Sequence, residues 1–155
     1  MEPIRELLAR ALKWEDAHGS FESATKGVPR KLRGVVPKGL AWSCWQLVEH
    51  LRLTQQDILE FCLDPAYQER KWPDDYWPAG PAPQSPKAWD ASIAGFQKDR
   101  EQLIRLTLDL SIDLFTPIPH GAGQTILREL VLILDHNSYH VGQLIAVRRL
   151  FGIWP

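Results

Sequence analysis

Two cysteines, Cys44 and Cys62, are too few and too far apart for a disulfide framework. Both fall on one expected helix, where eighteen positions span about 27 Å, and a disulfide needs Cα atoms within about 7 Å. Both are expected as reduced thiols, which fits a cytoplasmic home. Neither has an assured basic neighbour to lower its pKa, so neither reads as a nucleophile. No apolar run approaches the ~18 residues of a membrane span. The N-terminal stretch "MEPIRELLARALKWED" is charged and amphipathic, without the uninterrupted apolar core of a secretory leader. An excess of charge is missing too. The formal net charge is -1, which leaves no basic footprint for nucleic acid. The short basic stretches "PRKLRG" and "AVRRLFG" read as solvated surface. Strand-type alternation of useful length and internal repeats are absent, which argues against a sheet or a solenoid.

What is present suits one globular domain spanning residues 1–155, with 45% apolar and 24% charged residues. Seven Trp and twelve Pro stand out. Trp is enriched in pockets and interfaces, where its ring packs and its N–H finds a partner.

Four segments carry a helical period. The first runs from about Pro3 to Ala17, with Ile4, Leu7, Leu8, Ala11 and Leu12 as its stripe. Residues 19–41 hold four Gly and two Pro and read as loop, with one short helical turn at "FESAT". The second helix starts near Ser43, a good N-cap, and runs to Cys62, ended by Asp64-Pro65. Residues 64–86 contain six Pro, a density that no helix survives. Ser85-Pro86 then supplies an N-cap and a proline at N1 for the third helix. That helix is expected to reach Asp113, with Leu110 among its inward residues. The fourth spans about Gln124 to Phe151. The expected fold is all-α, a four-helix bundle. The long Pro/Trp-rich connection can cross the bundle's length, so the expected order is up-down-down-up.

The fourth helix contains "DHNSYHVGQL". His136 and His140 stand four residues apart, a rotation of about 40° and a rise of about 6 Å, so both rings leave one face. This spacing can chelate a divalent metal. It is shared by zinc proteases, whose H-E-x-x-H adds a glutamate base. Here Asn137, Ser138 and Tyr139 intervene, and the protease reading fails. The alternative for the bare pair is structural packing in a core helix. The third candidate ligand is His50, set among Leu47, Leu51 and Leu53 on the second helix, where a leucine would pack. Helical-wheel angles place Gln143 and Glu129 about 20° to either side of His136, and Asp57 about 20° from His50. These three are candidates to accept the second N–H of metal-bound imidazoles, or else to pair on the bundle's edge. His18 and His120 fall at helix ends or in loops, at a pocket mouth or simply exposed. The segment from Trp72 to Pro83 is too aromatic for a free linker. Trp72, Tyr76 and Trp77 are expected to form a pocket wall, a dimer contact, or plain cover over the second and third helices.

Together, "AWSCWQLVEHLRLTQQDILEF", "DDYWP" and "DHNSYHVGQLIAVRRLFGIW" resemble the DinB-like (DinB/YfiT) superfamily of small metal-binding four-helix bundles. The resemblance covers most of the chain. It implies a metal triad of His50, His136 and His140, zinc or nickel as the ion, and a homodimer. Members with known activities are thiol-dependent, either transferases that attach bacillithiol to electrophiles or mycothiol-dependent isomerases. The resemblance thus implies a low-molecular-weight thiol and a small electrophile as partners. A three-histidine site with an open position fits catalysis, by delivering a thiolate or activating water for hydrolysis. The competing expectation is a non-catalytic, dimeric metal- or ligand-binding bundle.

Overall fold

The structure, a computed structural model, describes residues 2–13 and 16–155. It is all-helical: α1 (Glu2–Ala11), α2 (Phe21–Thr25), α3 (Cys44–Leu63), α4 (Pro86–Leu108) and α5 (Ile126–Leu150). Among the described residues the only strand-like pairing is an isolated antiparallel bridge between Pro117 and Thr125. Among the described residues no helix is long and apolar enough to cross a membrane.

The helix starts follow from their caps. Ser43 Oγ accepts from Gln46 N while Gln46 Oε1 accepts from Ser43 N, both at 3.1 Å, a reciprocal capping box. Ser85 caps α4 with Pro86 behind it, and Thr125 caps α5. The "FESAT" turn is α2, capped by Ser20.

Two expected helices are shorter. The first stops at Ala11, with turn-like hydrogen bonds reaching Lys13; positions 14 and 15 of its expected span lie outside the described residues. Leu8 and Leu12 are buried, but Ile4 and Leu7 are exposed, so only part of the stripe packs. The third expected helix ends at Leu108 rather than Asp113. Asp109 Oδ1 accepts from Ser111 N and from Ser111 Oγ, a local bond that competes with continuing the helix. Leu110 is consequently 68% exposed. Within the proline-rich segment, residues 74–76 form one 3₁₀ turn between Pro73 and Trp77.

Two apolar clusters fill the bundle. One gathers Trp45, Leu47, Leu51, Trp89, Phe96 and Leu144; the other gathers Leu8, Ile58, Leu103, Leu106, Leu130 and Ile133. A polar pair links the helices inside this core. Gln55 Nε2 donates to the Phe96 carbonyl at 2.8 Å, and Asn137 Nδ2 donates to Gln55 Oε1 at 3.1 Å. Two buried arginines serve helix ends. Arg5 donates to the carbonyls of Thr107, Asp109 and Ile112 at the C-terminus of α4. Arg148 donates to the carbonyls of Ser23, Ala24 and Ile153. The "AVRRLFG" stretch is therefore only partly solvated surface: Arg148 is 6% exposed, because unpaired carbonyls at the end of α2 need a donor. The crossover from α3 to α4 is pinned down. Ser43 Oγ donates to the Pro81 carbonyl, and Gly34 lies so close to Ala82 that a Cβ there would sit 2.3 Å from the alanine methyl.

Candidate metal centre

The helices α3 and α5, packed side by side, present His50 against His136 and His140. His50 Nε2 lies 3.0 Å from His136 Nε2 and 3.2 Å from His140 Nε2. One ligand atom from each residue fits within a mutual distance of 4.8 Å, and the group could hold a metal ion. The i, i+4 pair and the lone histidine of the neighbouring helix do converge.

The tautomers follow from the outer ring nitrogens. His50 Nδ1 donates at 2.7 Å to the Tyr76 carbonyl, which can only accept. His140 Nδ1 donates at 2.8 Å to Gln143 Oε1. A neutral ring protonated at Nδ1 carries a lone pair at Nε2. His50 and His140 thus aim two lone pairs at each other across 3.2 Å, an arrangement that a cation relieves. Burial keeps the rings neutral. Desolvation pushes His50 down to about 4, although the Tyr76 bond opposes it. Desolvation and then the two neighbouring rings push His136 down to about 3. His140 is also lowered by burial, against its bond to Gln143. Neutral imidazoles are the form that metals bind. Tetrahedral bonds of about 2.05 Å would set nitrogens about 3.3 Å apart, close to the two distances that His50 Nε2 makes to the other rings.

The three candidate partners separate. Gln143 contacts His140 directly. Asp57 reaches His50 only through Tyr76: its Oδ2 accepts from the Tyr76 hydroxyl at 2.7 Å, and its Oδ1 from the Tyr67 hydroxyl at 3.0 Å. Arg70 adds an ion pair to the same carboxylate at 3.3 Å. Burial and Asp57 together raise both phenols, Tyr67 to about 12. Both tyrosines therefore stay protonated and donate. Glu129 is buried but pairs with Arg128 at 2.8 Å and makes no bond to the histidines. Two helical turns from His136 place it on the right face but about 10 Å along the axis, beside Asp57 in a separate cleft with His120.

The aromatic segment covers the centre. Trp77 stacks on His50 at 3.8 Å and 3°, and Trp42 stacks on the other side of Trp77 at 3.9 Å. Trp72, Tyr76 and Trp77 line a groove of about 800 Å³ whose floor includes His50, His136 and His140. Trp42 went unnoticed in the sequence. Its only signal is its place just before the N-cap of α3, where an apolar residue commonly packs back on the helix. The remaining histidines stay apart from the cluster. His18 is exposed, with Nε2 3.3 Å from Ser138 Oγ. His120 is exposed and its Nε2 donates to the Phe61 carbonyl at 2.8 Å. Cys44 and Cys62 are free.

Fold and site together define an all-α bundle protein with a three-histidine cluster that can hold a metal. A family model described as the DinB superfamily matches residues 13–144, and the chain belongs to that superfamily. The comparisons with curated proteins and with solved structures return no match.

Proposed function

We propose that the chain is a metal-dependent enzyme that holds a divalent ion, zinc or nickel, with His50, His136 and His140 and transfers a small thiol to an electrophile. The observation that carries this reading is the facing pair of Nε2 lone pairs on His50 and His140, in rings fixed through Nδ1 and opening on a groove. When bound, the ion would lower the pKa of a thiol or water reaching its open side.

The chain's own residues orient and shield. The Tyr76 carbonyl and Gln143 fix two rings, Trp77 stacks on one of them, and the aromatic wall limits water. Among the described residues no fourth His, Cys, Asp or Glu joins the three, which favours an open coordination position over a closed structural site. The reacting thiol comes from outside, because burial pushes Cys44 up to about 11 and Cys62 up to about 12. A low-molecular-weight thiol as co-substrate and a cytoplasmic, reducing setting belong to this reading. So does a homodimer, which sedimentation of the purified chain would test.

We also read the helix order as up-down-down-up. Arg5 at the start of α1 meets Thr107 near the end of α4, Gln55 meets Phe96, and Gly95 lies against Arg52. His50 meets His140 while Asn137 meets Gln55. These pairings support a reading with α3 parallel to α4 and antiparallel to α5.

The test is metal analysis of untagged protein, then a screen of thiols against electrophiles. Stoichiometric zinc or nickel that disappears in the His50→Ala, His136→Ala, His140→Ala variant, with thiol transfer that requires it, supports the reading. Metal retained by that variant overturns the site. A full metal complement without turnover on any thiol leaves a non-catalytic binding bundle.

A further inference from the structure

Resting on the metal-centre reading above, we propose that the body of the molecule bound at this site is flat, apolar and uncharged, carrying a single donor atom toward the histidines, and that Trp72 grips it. The walls are aromatic or aliphatic: Trp42, Trp72, Pro73, Trp77, Pro78 and Ala79. No Lys or Arg is among the lining residues, and the one charged residue there is Asp74. Asp74 already pairs with Lys71 at 2.7 Å, at the exposed rim. A carboxylate or phosphate on the far end of a ligand would meet no cation in the groove and would face that aspartate. Burying such a charge unpaired against apolar walls is costly.

Charge complementarity gives the same answer at the floor. Three neutral imidazoles bring no negative charge, so a divalent ion between them would keep its full charge for one anionic donor atom. The single charge a ligand can place favourably is therefore at the histidines, and the rest of it meets ring surface. The two stacked tryptophans cannot supply a free face between them, since Trp77 is sandwiched by His50 and Trp42. Trp72 can. It is 68% exposed and touches Tyr76 at a tilted 5.4 Å, leaving ring surface open at the groove wall. A large exposed indole beside a cleft is poorly explained by packing, and offset stacking with a flat guest explains it.

The experiment compares naphthalene-2-thiol with its 6-carboxylate analogue by calorimetry, on zinc-loaded and metal-free full-length protein. The neutral thiol is expected to bind about ten-fold more tightly than the carboxylate in both forms. Trp72→Ala is expected to weaken the neutral thiol about five-fold without changing zinc stoichiometry; exposure of Trp72 makes this variant safe for the fold. Equal or tighter binding of the carboxylate overturns the inference, as does unchanged affinity in Trp72→Ala. If loading with zinc adds nothing to the affinity while the neutral preference and the Trp72 effect persist, the groove inference stands and the metal-centre reading fails.

Discussion

Acid should destabilise the metal-free protein through its histidines, by an amount that follows from their burial. His50 and His136 are held neutral with pKa values pushed down to about 4 and about 3, against about 6.5 in an unfolded chain. Below pH 6.5 the unfolded chain binds protons that the folded chain refuses. Stability is therefore full above the unfolded value and falls as pH drops toward the folded values. At pH 5 each ring has crossed about 1.5 units, or about 2 kcal/mol at 1.36 kcal/mol per unit. His136 is only partly buried, so its share is the smaller. The two together should remove about 3–4 kcal/mol between pH 7.5 and pH 5, a large part of a typical domain's stability. Urea unfolding of chelator-treated protein at the two pH values measures this. The reference is a His50→Gln, His136→Gln variant, in which all other titrating groups are retained and cancel. Wild type should lose about 3 kcal/mol more than the variant. An equal loss in both would refute the claim that these rings are kept neutral by burial.

Asp57→Asn should loosen Tyr76, and with it the carbonyl that orients His50; chelator competition should show zinc affinity lowered about ten-fold. Glu129→Gln should leave that affinity unchanged, and equal effects of the two would remove the special role of Asp57. Trp77→Ala strips the ring stacked on His50, so it should weaken zinc binding without altering sedimentation; a shift toward monomer would instead place this ring in a dimer contact. Cys44→Ser and Cys62→Ser together should leave any thiol-transfer rate intact, and loss of rate in a folded double variant would show that one of them reacts.

Much of the frame was readable from local rules. Ser43, Ser85 with Pro86, and Asp64-Pro65 announce helix boundaries because a cap or a breaker acts on backbone groups a few residues away. The His136–His140 pair was readable because helical geometry alone puts both rings on one face. The end of α4 was misjudged by apolar periodicity. Leu110 continues the pattern, but the bonds from Ser111 to Asp109 stop the helix first. Arg148 was misjudged because an isolated basic pair gives no sign that a distant helix end needs its donors.

Sequence by itself determined which helices form and that three histidines face inward from two of them, since caps, breakers and a 3.6-residue period act over a few residues. Tertiary structure alone decided what each ring touches. The acceptor for His50 is a backbone carbonyl, at Tyr76, and a carbonyl has no residue signature. Wheel angles put Asp57, Glu129 and Gln143 on suitable faces, yet only Gln143 bonds to a histidine. Angle ignores the distance along the axis, and the tyrosines of the crossover claim Asp57 first. The groove itself exists because a proline-rich segment, unable to form a helix, folds back across α3 and stacks Trp77 between Trp42 and His50. That return path is set by long-range packing, which no local pattern encodes.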